Sequence, residues 1–142
     1  MSDRVMRVFS FISAVLAVAA LVLAGCGGPT RLKTRGKVVK SGAAFVPGPG
    51  QFVRVTFVPV PPGSPPQDHY VAEVNNADGT FRVAGKDGKG MPPGKYRVAI
   101  ELDQHRSDLL KGQFDADRSP FVFDVDSSTK EMVLDLDNPP KQ

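Results

Sequence analysis

The chain of 142 residues has no tryptophan, only two tyrosines, two histidines and a single cysteine. One cysteine has no intrachain partner, so a disulfide-stapled scaffold is excluded. His69 and His105 both sit in polar stretches; as a catalytic pair they would need a positioned partner, and ordinary surface histidines are the simpler expectation. Without tryptophan, and with only Tyr70 and Tyr96, the aromatic platforms of a glycan-binding module are scarce. The 18 basic and 15 acidic residues are interspersed, which argues against nucleic acid as a partner, since that would call for clustered cations with interleaved aromatics.

What is present begins at the N-terminus. Arg4 and Arg7 precede an apolar run from Val8 to Ala24 that only Ser10 and Ser13 interrupt. This is the pattern of a secretory signal, and it falls short of the about 20 apolar residues of a membrane-spanning helix. An uncleaved N-terminal anchor is the alternative. The run ends in Leu23-Ala24-Gly25-Cys26, which resembles the lipobox of bacterial lipoproteins. The resemblance implies that residues 1–25 are removed, that the Cys26 sulfur carries a diacylglycerol and its amine an acyl chain such as palmitate, and that membrane lipid is the first partner. Left unmodified, Cys26 would be a free thiol in an oxidising compartment. Two or three acyl chains hold a protein at a membrane where one alone is marginal. Gly27 stands where many inner-membrane-retained lipoproteins carry aspartate, so by resemblance the outer membrane is favoured, with the protein facing the periplasm or the cell surface.

Residues 26–142 amount to one domain's worth of chain, with a formal charge of about +2. Residues 26–33 read as a linker, 34–138 as an all-β domain and 139–142 as a tail. Arg31, Lys33, Arg35 and Lys37 alternate directly after the lipid site and suggest either a tether near anionic head groups or a solvated linker. Fourteen glycines and thirteen prolines cut the apolar residues into short runs, the composition of a β domain with many turns. Strands are expected at 35–40, 51–60, 70–75, 80–84, 95–102, 121–126 and 131–137. Their inward positions are Val38; Val53, Val55 and Phe57; Ala72 and Val74; Phe81 and Val83; Tyr96, Val98, Ile100 and Leu102; Phe121, Phe123 and Val125; and Met132, Leu134 and Leu136. The strand at 95–102 is the most regular and the expected centre of its sheet.

Asp78-Gly79 is expected to supply the positive φ angles of a tight hairpin. Residues 43–50 read as a loop, and the proline-rich segment 61–66 as a rigid connector or, alternatively, a ligand for a proline-reading groove. The stretch 103–120 is long for a connection, and Ser107-Asp108-Leu109-Leu110 has the form of a capped helical turn. Seven short strands between turns make a Greek-key β-sandwich of immunoglobulin-like or transthyretin-like type the expected fold.

Gly36-Lys37-Val38, Val55-Thr56-Phe57-Val58-Pro59, Asp78-Gly79-Thr80-Phe81 and Pro93-Gly94-Lys95-Tyr96-Arg97-Val98, with Ser119-Pro120 and Leu134-Asp135-Leu136, resemble small bacterial lipoproteins of the carboxypeptidase regulatory-like, transthyretin-like group. In carboxypeptidases the similar domain is accessory to a separate catalytic domain, so the resemblance implies a fold and no ligand. Hydroxyisourate hydrolases share the transthyretin fold, but their C-terminal Tyr-Arg-Gly-Ser motif is missing from Asn138-Pro139-Pro140-Lys141-Gln142. Asp115, Asp117 and Ser119 have the alternating oxygens that open a calcium loop, with Asp126 at the twelfth position, yet Pro120 occupies the sixth, where glycine is needed. Asp124, Asp126, Asp135 and Asp137 are expected to share the outward face of the last two strands, serving solubility and edge protection. The expectation is therefore a lipid-anchored, non-catalytic envelope module without cofactor, binding an envelope protein or glycan. A small periplasmic hydrolase and a glycan-binding module are the alternatives.

Overall fold

The structure, a computed structural model, describes residues 30–61 and 68–141. Its strands are β1 (Thr34–Lys40), β2 (Ala43–Ala44), β3 (Gln51–Pro59), β4 (Tyr70–Val71), β5 (Glu73–Val74), β6 (Thr80–Val83), β7 (Gly94–Gln104), β8 (Ser107–Asp108), β9 (Val122–Val125) and β10 (Met132–Asp135). Alternation dictates them: side chains of successive strand residues point to opposite faces, and in β3 Val53, Val55 and Phe57 are buried while Phe52 and Arg54 are exposed.

The first sheet runs β10-β1-β6-β5, with β2 folded back on the end of β1. Its β1–β10 pairing is parallel and the rest is antiparallel. The second sheet runs β4-β3-β7, with β8 and β9 both on the far edge of β7, and is antiparallel throughout. The inner faces of the two sheets meet as a β-sandwich. The Phe57 ring of β3 lies 6.1 Å from Phe81 of β6 and 6.3 Å from Tyr96 of β7. Val38, Val55, Val83, Val98 and Leu134 are fully enclosed. Each such side chain contributes about 1.5–3 kcal/mol by leaving water. Tyr96 satisfies its phenol by donating to the Pro92 carbonyl at 2.8 Å, and burial raises its pKa above the usual tyrosine value. Gly36 has to be small: a Cβ there would overlap the Met132 carbonyl oxygen and the Phe81 ring.

Several expectations need correction. Residues 103–120 are not a free connection. After β8 pairs with the end of β7, Leu109 N donates to Leu102 O, Phe114 bridges Ile100, and Val98 N donates to Phe121 O before β9 begins. The segment is an irregular edge strand with two bulged loops, and hydrophobic period alone missed it because Phe114 is its one buried apolar residue, with Leu110 packed at the margin of the core. The expected helical turn at 107–110 is absent, since the Asp108 carboxylate instead accepts the backbone N–H groups of Leu102, Leu110 and Gly112. In the 75–80 hairpin only Gly79 has positive φ, at 69°, because the loop is longer than the two-residue type expected. A two-residue turn of that kind forms instead at Ser41-Gly42, with φ of 53° and 74°, and it makes β2 out of part of the expected loop. The expected strand at 70–75 is two segments, β4 in the second sheet and β5 in the first. Leu32, expected in the linker, exchanges backbone hydrogen bonds with Met91 and packs on the core. Last, β9 and β10 lie in different sheets, so the four aspartates share no face. The chain crosses over at Asp126, whose carboxylate receives the N–H groups of Ser128 and Thr129.

Candidate functional site

The expected lipobox residues Leu23, Ala24 and Gly25, the expected acceptor Cys26 and the proline-rich residues 62–66 lie outside the described residues. The calcium candidates are described, and they are engaged separately. Asp115 accepts from its own turn at Asp117 N and Arg118 N, and its second oxygen is 2.6 Å from the Arg118 guanidinium, whose hydrogen bonds hold the carboxyl below the usual aspartate pKa. Asp117 contributes its main-chain carbonyl to Arg97 at 2.8 Å. Ser119 is buried, donating its hydroxyl to the Val98 carbonyl. Among the described residues no three His, Cys, Asp or Glu side chains are grouped to hold a metal ion.

His69 precedes Tyr70, which pairs with Phe57; His105 follows Gln104, which pairs with Gln51. Those partners are six positions apart on β3, so the histidines stand about 20 Å apart, towards opposite ends of the strand. No single substrate atom lies within reach of both.

The outer faces of the sheets carry the remaining chemistry. On the second sheet, the cations find partners within the fold. Arg54 lies 3.1 Å from Glu101 and 2.9 Å from Asp103, the latter contact being within ion-pair distance but outside hydrogen-bond geometry. Arg97 donates to the carbonyls of Ala116 and Asp117, and Lys95 is 4.0 Å from Asp124.

On the first sheet the arrangement differs. Leu32, Thr34, Gly36 and Val38 turn inward, so Arg31, Lys33, Arg35 and Lys37 emerge on the opposite side as one row along β1 and its lead-in. Arg82 of β6 stands directly opposite Arg35 in the antiparallel register. Arg82 is held by Glu73 at 2.6 Å. Among the described residues none of the four β1-side cations has a carboxylate within 4.0 Å. A shallow concavity of about 650 Å³ opens here, lined by Arg35, Glu73, Thr80, Arg82 and Glu131 around the backbone of Gly36. The sequence shows the alternation of cations, but not that Arg82 joins them, because that depends on the β1–β6 register. No protein-family model, curated protein or solved structure matches the chain.

Proposed function

We propose that the protein is a lipid-anchored cell-envelope lipoprotein, acylated at Cys26 and held at the outer membrane, whose domain is a non-catalytic binding or structural module. Within this reading the fold is a seven-stranded Greek-key sandwich of the transthyretin-like, carboxypeptidase regulatory-like type, with β2 and β8 as short additions and β4 and β5 as one strand shared between the sheets. The carrying observation is the sequence Leu23-Ala24-Gly25-Cys26 placed only a few residues before Leu32, whose backbone is already paired with Met91. A domain joined so closely to its lipid works at the membrane surface. Support for a non-catalytic role comes from the polar groups that would serve chemistry: Asp108, Asp115, Ser119 and Asp126 bind backbone or neighbouring side chains, and the histidines stand apart.

Metabolic labelling with a palmitate analogue, followed by fractionation, tests the anchor. The wild-type chain should carry label and sediment with membranes, while Cys26→Ser should lose the label. Unlabelled wild type, or a labelled Cys26→Ser variant, would overturn the reading.

A further inference from the structure

We infer that the outer face of the first sheet, centred on Arg35 and Arg82, docks on the anionic phospholipid surface to which the chain is anchored; this rests on the anchoring reading above. Three observations carry it. The first is the row itself. Residues two apart on one strand face are about 6.6 Å from each other, so Arg31 to Lys37 spreads four cations over about 20 Å. Such a row matches a sheet of phosphodiester groups better than a single small anion.

The second is the pairing. Like charges directly opposite on an antiparallel ladder repel, yet Arg35 and Arg82 are in register across β1 and β6. Glu73 neutralises Arg82, and Arg35 is left without a protein carboxylate among the described residues. An anion entering the concavity would supply Arg35 with the counter-charge it lacks. The acids on this face, Glu73, Glu131, Asp135 and Asp137, number four against five cations; Asp135 is occupied by the backbone of Asp137 and Asn138, and Asp137 by Ser41. Arg31 is partly shared, since its charge also helps lower the pKa values of Asp68 and Asp87. The centre of the face is therefore Lys33, Arg35 and Lys37, with the Arg82–Glu73 pair beside them.

The third is reach. The chain from Cys26 to Arg31 can extend about 18 Å at most. A lipid on Cys26 thus keeps the start of β1 near the head groups, where approach to within the Debye length of about 8 Å brings the row under the surface potential. The second sheet offers no comparable row: Arg54 is paired with Glu101 and Asp103, Lys95 faces Asp124, and Arg97 is turned onto the carbonyls of Ala116 and Asp117.

The test uses the full lipidated protein in vesicles of phosphatidylcholine alone or of two parts phosphatidylcholine to one part phosphatidylglycerol. A dye is attached through Val133→Cys, on the exposed face of β10 beside the row, or through Val71→Cys, on the outer face of the second sheet. Quenching by a head-group-labelled lipid should be several-fold stronger at position 133 than at 71 in the anionic vesicles. The difference should vanish in phosphatidylcholine, at high salt, and in the Lys33→Glu/Arg35→Glu/Lys37→Glu variant. Equal quenching at the two positions, or a difference indifferent to salt and lipid charge, would overturn the docking while leaving the anchor intact. The wild-type salt response decides the matter even if the triple variant folds poorly. Dyes at 133 that report one another in place of the lipid would assign the face to a second copy and also overturn it. Flotation of the same samples is read separately: protein that fails to float with vesicles of either composition removes the anchor, and the docking with it.

Discussion

The two sheets share one core, and their outer faces follow different rules. Across the second sheet, Arg54 bridges Glu101 and Asp103, Arg97 is tied to main-chain carbonyls, and Lys95 faces Asp124. Across the first, Arg35 and Lys37 stand without carboxylate partners among the described residues, and Arg35 is set against a second arginine. A charge balanced inside the fold serves the fold. A row without such partners is what the docking proposed for the first sheet would use.

The contrast is sharpest where the edge of the second sheet is most irregular. Phe114 is 2% exposed, bridges Ile100 and packs 5.5 Å from Phe121, although it lies in a stretch that reads as loop. Phe114→Ala should cost about 3–5 kcal/mol, seen as a lower denaturation midpoint at unchanged slope. A loss under about 1 kcal/mol would mean the segment is not part of the sheet.

Asp108 is the second support of that edge. Asp108→Ala strands three backbone N–H groups and is expected to cost about 2–3 kcal/mol, with Asp108→Asn costing less because an amide oxygen still accepts. Amide hydrogen exchange at Leu102, Leu110 and Gly112 should accelerate in the alanine variant.

A matched pair of arginine variants probes the comparison itself. Arg54→Ala leaves the mostly buried Asp103 uncompensated and should destabilise by about 1–2 kcal/mol, discounted because Arg54 is itself half exposed. Arg35→Ala removes a cation without a carboxylate partner among the described residues and should leave the unfolding free energy within about 0.5 kcal/mol of wild type. Equal losses from the two would break the distinction between the faces.

Acid should erode both sheets alike and by the smallest amount. Asp78 and Asp126 have lowered pKa values through hydrogen bonds from Thr80 and Ser128, Asp135 through Asn138, and Asp115 through Arg118. A carboxyl with a lowered folded-state value contributes stability above its unfolded value of 3.8 and loses it as the pH falls through the folded one. The melting temperature should hold from neutral pH to about 5 and decline below about 4. A decline beginning near pH 6 would point to a titrating group other than these four.

Much of the fold was legible because period-two alternation is a local signal. Val53, Val55 and Phe57, then Tyr96, Val98, Ile100 and Leu102, declare a strand and its inward face without knowledge of any neighbour. The irregular edge was illegible for the converse reason: its strand character lies in backbone bonds from Leu109, Phe114 and Phe121 to β7, interrupted by turns that Asp108 and Asp115 stabilise. The carboxylates of Asp115, Asp126, Asp135 and Asp137 accept backbone N–H groups, a role that depends on where the chain turns.

By itself the sequence determined an all-β chain, the faces of its longer strands, the cation alternation from Arg31 to Lys37 and the lipobox-like end of the apolar run, since each is written within a few consecutive residues. Tertiary structure decided which strands are neighbours. It placed β9 and β10 in different sheets, scattering the four aspartates, and it set β1 beside β6, bringing Arg82 opposite Arg35. Register between distant segments is chosen by packing both inner faces into one core, and no local pattern encodes that choice.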